Sequence, residues 1–219
     1  MLEAAINPNI PQKDAVDDMI WGVSNKPEYP IQCIIDKIYE STEAIIPKQF
    51  IKSIWHKHVP PRAQLTLWMA LLGKLKTGEF LARKGIIDAR LSLCPFCRLE
   101  TESLPHILFS CQFSWCIWMQ ILDWWGIKGV LHEQCDSFIL QWNGLMVGRS
   151  RKKWRLVILS CVIWSLWFER NKVKFEETVP NINLFANTLK YRIGVWSKEL
   201  LGDISFSPHN CINNIETIL

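Results

Sequence analysis

The feature that most constrains this chain is a group of four metal-binding side chains between positions 94 and 111. Cys94 and Cys97 are separated by two residues, His106 follows after eight more, and Cys111 after another four. Two Cys at this spacing can turn their sulfurs toward one point, and a His and a Cys on a following short helix can complete a tetrahedron. A closed set of three thiolates and one imidazole favours structural zinc over a catalytic or iron site. We predict that Zn²⁺ is bound by Cys94, Cys97, His106 and Cys111.

Other interpretations of these residues stay open in the sequence. Cys116 lies one to two helical turns beyond Cys111 and is the alternative fourth ligand. A single C-x2-C pair also arises readily by chance, so the group can be ordinary buried thiols beside a solvated histidine. His56 and His58 are close together but distant in sequence from the thiols, and we interpret them as surface or core histidines.

The cysteine distribution indicates the compartment. Eight Cys occur in 219 residues, and apart from the one tight cluster they are scattered. The first residues lack the basic and apolar regions of a secretory signal. Reduced thiols with one metal site explain this better than a disulfide framework, so we expect an intracellular protein, nuclear or cytoplasmic. The longest apolar run, 156–168, is shorter than the roughly 20 residues of a membrane span, so we predict a buried helix and no membrane partner.

Helical periodicity and breakers predict an all-α fold, mainly helical, with a small zinc-stabilised loop–helix subregion and a minor N-terminal hairpin as an option. Helices are predicted to begin at Pro61, after Thr77, around Ser103 and Pro105 (carrying His106), at Ser114, at 150 and at 183. Gly85 and Gly126 are predicted to end two of them. The predicted divisions are a loose tail at 1–16, a zinc-binding domain at 17–126, a connector at 127–149, a helical segment at 150–204 and a second loose tail at 205–219.

Twelve Trp predict an interior rich in aromatic side chains. Trp164 and Trp167 lie three positions apart in the longest helix, on a face shared with Val157 and Ile163. We predict that both are core residues and that neither is a platform for stacking bases.

A set of residues around the cysteines carries a resemblance to a known family. Its members are Ile54-Trp55, Pro60-Pro61 with Trp68, Leu75-Lys76-Thr77, Leu81 with Gly85, the Cys pair, Glu100-Thr101, and His106 with Cys111. The stretch 48–111 resembles the zinc-binding domain that follows the reverse transcriptase in plant non-LTR (LINE-type) retrotransposons. Downstream, Ile163-Trp164-x-x-Trp167-x-Glu169-Arg170-Asn171 is similar to the segment that trails this domain. The resemblance covers roughly residues 18–175, although 25–30 fit it poorly, and implies zinc binding beside a reverse transcriptase.

The chain lacks the signatures of catalysis that such an element carries elsewhere. It contains no Tyr-x-Asp-Asp polymerase motif and no endonuclease region, and its carboxylates lack the spacing of a paired-metal nuclease. We therefore predict a non-enzymatic module without a small-molecule substrate, similar to a detached piece of a polyprotein.

Two groups of basic residues bear on the function. The net charge of +4 permits nucleic acid as a partner without requiring it. Weak, non-specific contact with RNA or DNA phosphates is predicted for Arg149, Arg151, Lys152, Lys153 and Arg155, which lie where the long helix should begin and where cations oppose the helix dipole. The same run can instead be a flexible linker before a later helix start. The group nearer the cysteines fits solvated helix faces better, and comprises Arg62, Lys74, Lys76, Arg83, Lys84, Arg90 and Arg98.

The function predicted from these features is a zinc-binding module that assists nucleic-acid binding. The alternatives are a structural or protein-interaction module, with the reverse transcriptase region of a parent element as its partner, and a decayed fragment without independent activity.

Overall fold

The computed structural model describes residues 54–55, 59–127, 137–138, 141–142 and 149–201. For 149–153 and 199–201 it describes the backbone and not the side chains. The chain divides into two compact units, Met1–Glu43 and Ala44–Leu219, and every described residue belongs to the second. Both predicted tails, the predicted hairpin, His56, His58 and most of the predicted connector lie outside the described residues.

Five α-helices make up most of the described chain: α1 (Pro61–Leu71), α2 (Gly78–Arg83), α3 (Gln112–Trp124), α4 (Arg149–Glu176) and α5 (Ile182–Leu201). A 3₁₀ turn (Ala89–Leu91) and a π-helical turn (His106–Ser110) lie between α2 and α3. The described ranges contain no strand, only one isolated antiparallel bridge between Leu93 and Thr101. The predicted mainly helical class is confirmed.

Most predicted helix boundaries are confirmed, and their local causes are visible. Pro61 occupies the first turn of α1, where its missing N–H costs nothing. The Thr77 hydroxyl accepts a hydrogen bond from the Phe80 N–H at 3.2 Å and caps α2. Gly85 and Gly126 follow α2 and α3 in the left-handed conformation, with φ of 68° and 65°.

The prediction that the helix after the His106 segment begins at Ser114, with Ser114 as its cap, is wrong. Helix α3 begins at Gln112, so Ser114 lies within its first turn. Its hydroxyl donates a hydrogen bond of 2.6 Å to the Ile107 carbonyl and ties α3 to the preceding π turn. A Ser near a helix start can accept from its own helix or donate to a neighbouring turn, and the sequence does not distinguish the two.

The core is rich in aromatic side chains, as predicted. Phe109, Trp118, Phe138 and Trp142 are almost completely buried, and their rings contact one another with centroid separations between 4.3 and 6.2 Å. The indole N–H of Trp118 donates to the Leu108 carbonyl at 2.8 Å, and that of Trp142 to the Arg155 carbonyl at 3.0 Å. This cluster lies directly behind the π turn, so burial of large aromatics fixes the turn that carries His106.

The long helix α4 packs against several of the other described elements. It contacts α1, α5 and the π turn, and its residues from Val157 to Ile163 are buried without a break. In the described part of the chain, no helix combines the length and apolarity that are needed to cross a membrane.

Candidate metal centre

The first two cysteines sit on a tight turn that its own backbone holds closed. The Arg98 N–H donates to the Cys94 carbonyl at 2.8 Å, and the Cys94 N–H donates to the Glu100 carbonyl at 2.8 Å. Arg98 follows the second Cys in the left-handed region, with φ of 57°. This conformation is rare for a residue with a side chain, and it reverses the chain directly after Cys97. The turn presents Cys94 and Cys97 to the same side.

The other two side chains of the cluster come from the π turn. Residues five apart on a regular α-helix point ~140° away from each other, which would separate His106 from Cys111. Here the Cys111 N–H donates to the His106 carbonyl at 2.7 Å, a hydrogen bond across five residues that widens the turn. The Ser103 hydroxyl accepts the His106 N–H at 3.2 Å and caps the start of this segment, as predicted. The π turn therefore explains the x4 spacing.

The four ligand atoms converge. The sulfurs of Cys94, Cys97 and Cys111 and a ring nitrogen of His106 all lie within 4.8 Å of one another. The Sγ atoms of Cys94 and Cys111 are 3.7 Å apart, and Cys97 Sγ is 3.3 Å from His106 Nε2. Zn–S bonds of ~2.3 Å and a Zn–N bond of ~2.0 Å in a tetrahedron separate two sulfurs by about 3.8 Å and a sulfur from the nitrogen by about 3.5 Å.

The chemical nature of the four side chains fits zinc, as their separations do. A disulfide would bring two sulfurs to ~2.05 Å, so the 3.7 Å separation is not that of a disulfide. All five cysteines of the described residues are free thiols. Cys94, Cys111 and His106 are buried and Cys97 is half-buried, so the ligands enclose the centre on most sides. Cys116, the alternative fourth ligand, is not part of the group.

Two of the thiols are electrostatically linked. The hydrogen bond between their sulfurs raises the pKa of Cys94 well above its ordinary value, and burial raises it further. The same hydrogen bond lowers the pKa of Cys111; burial opposes this, and the backbone N–H groups of Phe113 and Ser114 at the start of α3 reinforce it. A bound dication would satisfy both buried sulfurs as thiolates.

A carboxylate lies beside the imidazole. Glu100 Oε2 is 3.1 Å from His106 Nδ1, although the N–H does not point along the line of a good hydrogen bond. Glu100 is 71% exposed at its side chain, so it can turn toward the ring without rearranging the core. Since Nε2 faces Cys97, Nδ1–H is the group that a carboxylate can orient.

A second carboxylate, Glu102, ties the loop between Cys97 and His106 to the long helix α4. Glu102 is fully buried and accepts from Arg170 Nε at 2.5 Å and Nη2 at 2.9 Å, from Lys174 Nζ at 3.1 Å, and from the Gly78 N–H at 3.0 Å. The Arg170 side chain is itself 3% exposed. Sequence reasoning did not identify this group, because 68 residues separate Glu102 from Arg170. The only trace was the similarity of the 163–171 segment to the family.

The region that holds these residues matches a known family. Residues 34–118 match the family described as zinc-binding in reverse transcriptase. No curated protein and no solved structure matches the chain. The match includes all four converging side chains, and it confirms the predicted resemblance to the zinc-binding region of reverse transcriptases. The family is a zinc-binding domain rather than a catalytic one.

The structure describes the backbone of the predicted basic residues at the start of α4 and only some of their side chains. Helix α4 includes residues 149–155, so the interpretation of this run as a linker before a later helix start is wrong. Among its members Arg155 is half-buried, and the side chains of Arg149, Arg151, Lys152 and Lys153 lie outside the described residues. The seven basic residues nearer the cysteines are all exposed, but only Arg62 and Arg83 lie in α-helices, so the interpretation as solvated helix faces holds for these two.

The prediction that Trp164 and Trp167 are core residues is wrong. Both are half-buried, whereas Val157 and Ile163 on the same helix are buried. Arginine side chains cover part of both indoles, with Arg170 4.7 Å from the Trp167 ring centre, and Trp164 also packs against the rings of Phe168 and Trp196. The apolar run 156–168 concealed this, because the arginines come from other helices or from a later turn of α4.

Proposed function

We propose that the chain is a non-catalytic zinc-binding module that assists the binding of RNA or DNA. The observation that carries the zinc part is the convergence of three thiols and one imidazole within 4.8 Å inside a region that matches a zinc-binding family. Bound Zn²⁺ would supply a cross-link and positive charge, and Cys94, Cys97, His106 and Cys111 would hold it. Four protein ligands leave no position for a substrate, which makes the role structural.

The nucleic-acid part rests on charge. The chain carries a net charge of +4, and the first two turns of α4 concentrate five cations, Arg149 to Arg155, on one segment. Cations at a helix N-terminus oppose the helix dipole, so an anionic partner would relieve an unfavourable arrangement. Lys and Arg contacts to phosphate give affinity with little choice of sequence.

Binding at two salt concentrations tests this proposal. The zinc-loaded protein should bind RNA and DNA weakly, without sequence preference, and more weakly as salt rises. Each phosphate contact contributes ~0.9 to the salt slope on duplex DNA and ~0.7 on single strands. Changing Arg151, Lys152, Lys153 and Arg155 together to Ala should flatten the slope and leave the zinc content unchanged. If the parent shows no binding at low salt, the nucleic-acid role is refuted.

An interaction with a neighbouring protein is the second candidate. Its specific support is a group of exposed apolar side chains on α4, α5 and the turn between them: Phe168, Phe175, Val179 and Leu184, which are 51–86% exposed. Such a group marks a contact surface more often than an ordinary monomer face. In a parent polyprotein the partner would be the reverse transcriptase region. Titrating that region, expressed separately, into this chain would detect the contact by calorimetry.

A further inference from the structure

Three helices bring two arginines to one tryptophan at the surface. Arg62 lies in the first turn of α1, Trp164 in α4, and Arg192 in α5. The guanidinium carbons are 4.6 Å (Arg62) and 4.8 Å (Arg192) from the Trp164 ring centre, within the range of a cation–π contact. The sequence gives no sign of this arrangement, because 130 residues separate the two arginines.

The positive charge of this pair is not neutralised by a close carboxylate. Among the residues that the structure describes, none places a carboxylate oxygen within 4.0 Å of either guanidinium. Arg192 donates instead to the Ser165 hydroxyl at 2.7 Å. Burial lowers the pKa of Arg192 and the neighbouring charge of Arg62 lowers it further, while Cys161 and Glu169 act in the opposite direction. An anion placed between the two cations would relieve their repulsion.

An exposed aromatic ring lies next to the cations. Phe168 stacks on Trp164, with ring centres 5.6 Å apart and planes 28° apart, yet it remains 51% exposed. About half of the Phe168 side chain is therefore open to solvent beside this contact. It borders a groove of ≈ 230 Å³ between α4 and α5, whose charged lining residues are Lys172 and Arg192 together with one carboxylate, Glu169. The groove is smaller than the ~300 Å³ lower end of small-molecule pockets, so it suits one unit of a polymer better than a complete ligand.

We infer that Arg62, Arg192 and Phe168 form a contact site for single-stranded nucleic acid, in which the arginines hold a phosphate and the Phe168 ring stacks on an unpaired base. This inference rests on the proposed function and adds to it a second contact surface, besides the cations at the start of α4, and a preferred strand state. Proteins that bind single strands combine cations along the backbone with aromatic rings that accept any base. A base within a duplex is already stacked on both faces and cannot use such a ring. Single strands should therefore bind more tightly than duplexes of equal length.

Fluorescence anisotropy on the full zinc-loaded chain tests the site. The probe is a labelled single strand of about 12 nucleotides, within the ~4–16 nucleotide sites of related binding surfaces, with a duplex of the same length for comparison. Phe168→Ala should weaken single-strand binding about 5-fold or more, as expected for loss of one base stack. Phe168→Trp should retain the affinity, because it keeps an exposed ring. Arg62→Gln should reduce the salt slope by about 0.7.

Lys198→Gln is the matched control for charge. Lys198 is exposed on α5 and lies ~120° around the helix axis from Arg192, so the same loss of charge there should leave both affinity and slope close to those of the parent. Thermal melting and zinc content verify that each variant is folded.

The outcomes distinguish failure of this contact site from failure of the proposed function. Weaker binding of Phe168→Ala with retention in Phe168→Trp supports the site. If the parent binds but Phe168→Ala and Arg62→Gln behave like Lys198→Gln, the inference is overturned and the proposed function stands at another surface. Equal binding of duplex and single strand also overturns it. If the parent binds neither probe, the proposed function itself fails.

Discussion

Replacing Glu102 by Ala should destabilise the protein strongly although the residue is not a metal ligand. The carboxylate is fully buried and accepts four hydrogen bonds, two of them from the fork of Arg170. Its removal leaves the Arg170 guanidinium, 3% exposed, without its counter-ion, and among the described residues Arg170 then keeps hydrogen bonds only to Asn171 and to the Lys76 carbonyl. Breaking one side of a buried ion pair costs about 3–5 kcal/mol, because it leaves an uncompensated buried charge.

Unfolding in urea with zinc present measures this cost as the free energy of unfolding. For a chain of this size, 1 kcal/mol corresponds to ~2–4 °C in the melting temperature, so Glu102→Ala should melt roughly 6–20 °C below the parent. Glu176→Ala removes the same charge from an exposed position on α4 and should change the stability by less than ~0.5 kcal/mol. If the two variants are equally stable, Glu102 and Arg170 do not form a buried pair.

A double-mutant cycle isolates the pair itself. Arg170→Ala alone should also be costly, because it leaves the buried Glu102 carboxylate with fewer donors. The double variant should cost less than the sum of the two single variants, with a coupling of ~0.5–3 kcal/mol. Additive costs would show that each residue acts through its own packing.

Three further predictions follow from single contacts. Gly78→Ala should lower the free energy of unfolding by about 1–3 kcal/mol, because the new Cβ would lie 2.8 Å from the Ser92 Cα and 2.9 Å from its carbonyl oxygen. Unchanged stability in the same urea experiment would show that the backbone at Ser92 moves aside. Glu100→Gln should weaken zinc affinity about 10-fold in a chelator competition, since outer carboxylates orient metal-binding histidines, and an unchanged affinity would exclude Glu100 as the partner of His106. Cys161 should resist alkylation until the protein unfolds, because full burial raises the pKa of its thiol to about 12; rapid labelling of the native protein would contradict its placement in α4.

The sequence predicts the features that depend on local patterns. Pro61, Thr77, Gly85 and Gly126 act on the residues next to them, so their effects on helix ends are visible without a structure. The C-x2-C-x8-H-x4-C spacing predicts the converging side chains for the same reason, since the whole group falls within 18 residues.

The features that the sequence conceals join distant residues. The sequence around Glu102 does not distinguish it from an exposed loop residue. Only the fold shows that it is buried against Arg170. Trp164 has the apolar neighbours of a core residue, yet two arginines from other helices cover its ring and leave it half-buried. Ser114 illustrates a smaller case, because its hydroxyl serves the preceding turn instead of its own helix.

The zinc content of the purified protein tests the central claim most directly. Protein prepared without chelator should contain one zinc per chain by elemental analysis. Cys97→Ser should lose most of this metal, because it removes one of four ligands, whereas Cys161→Ser should retain it, because that thiol lies in α4 and outside the cluster. Well under one zinc per chain in the parent, or equal zinc in the two variants, would contradict the assignment of Cys94, Cys97, His106 and Cys111 as a metal centre.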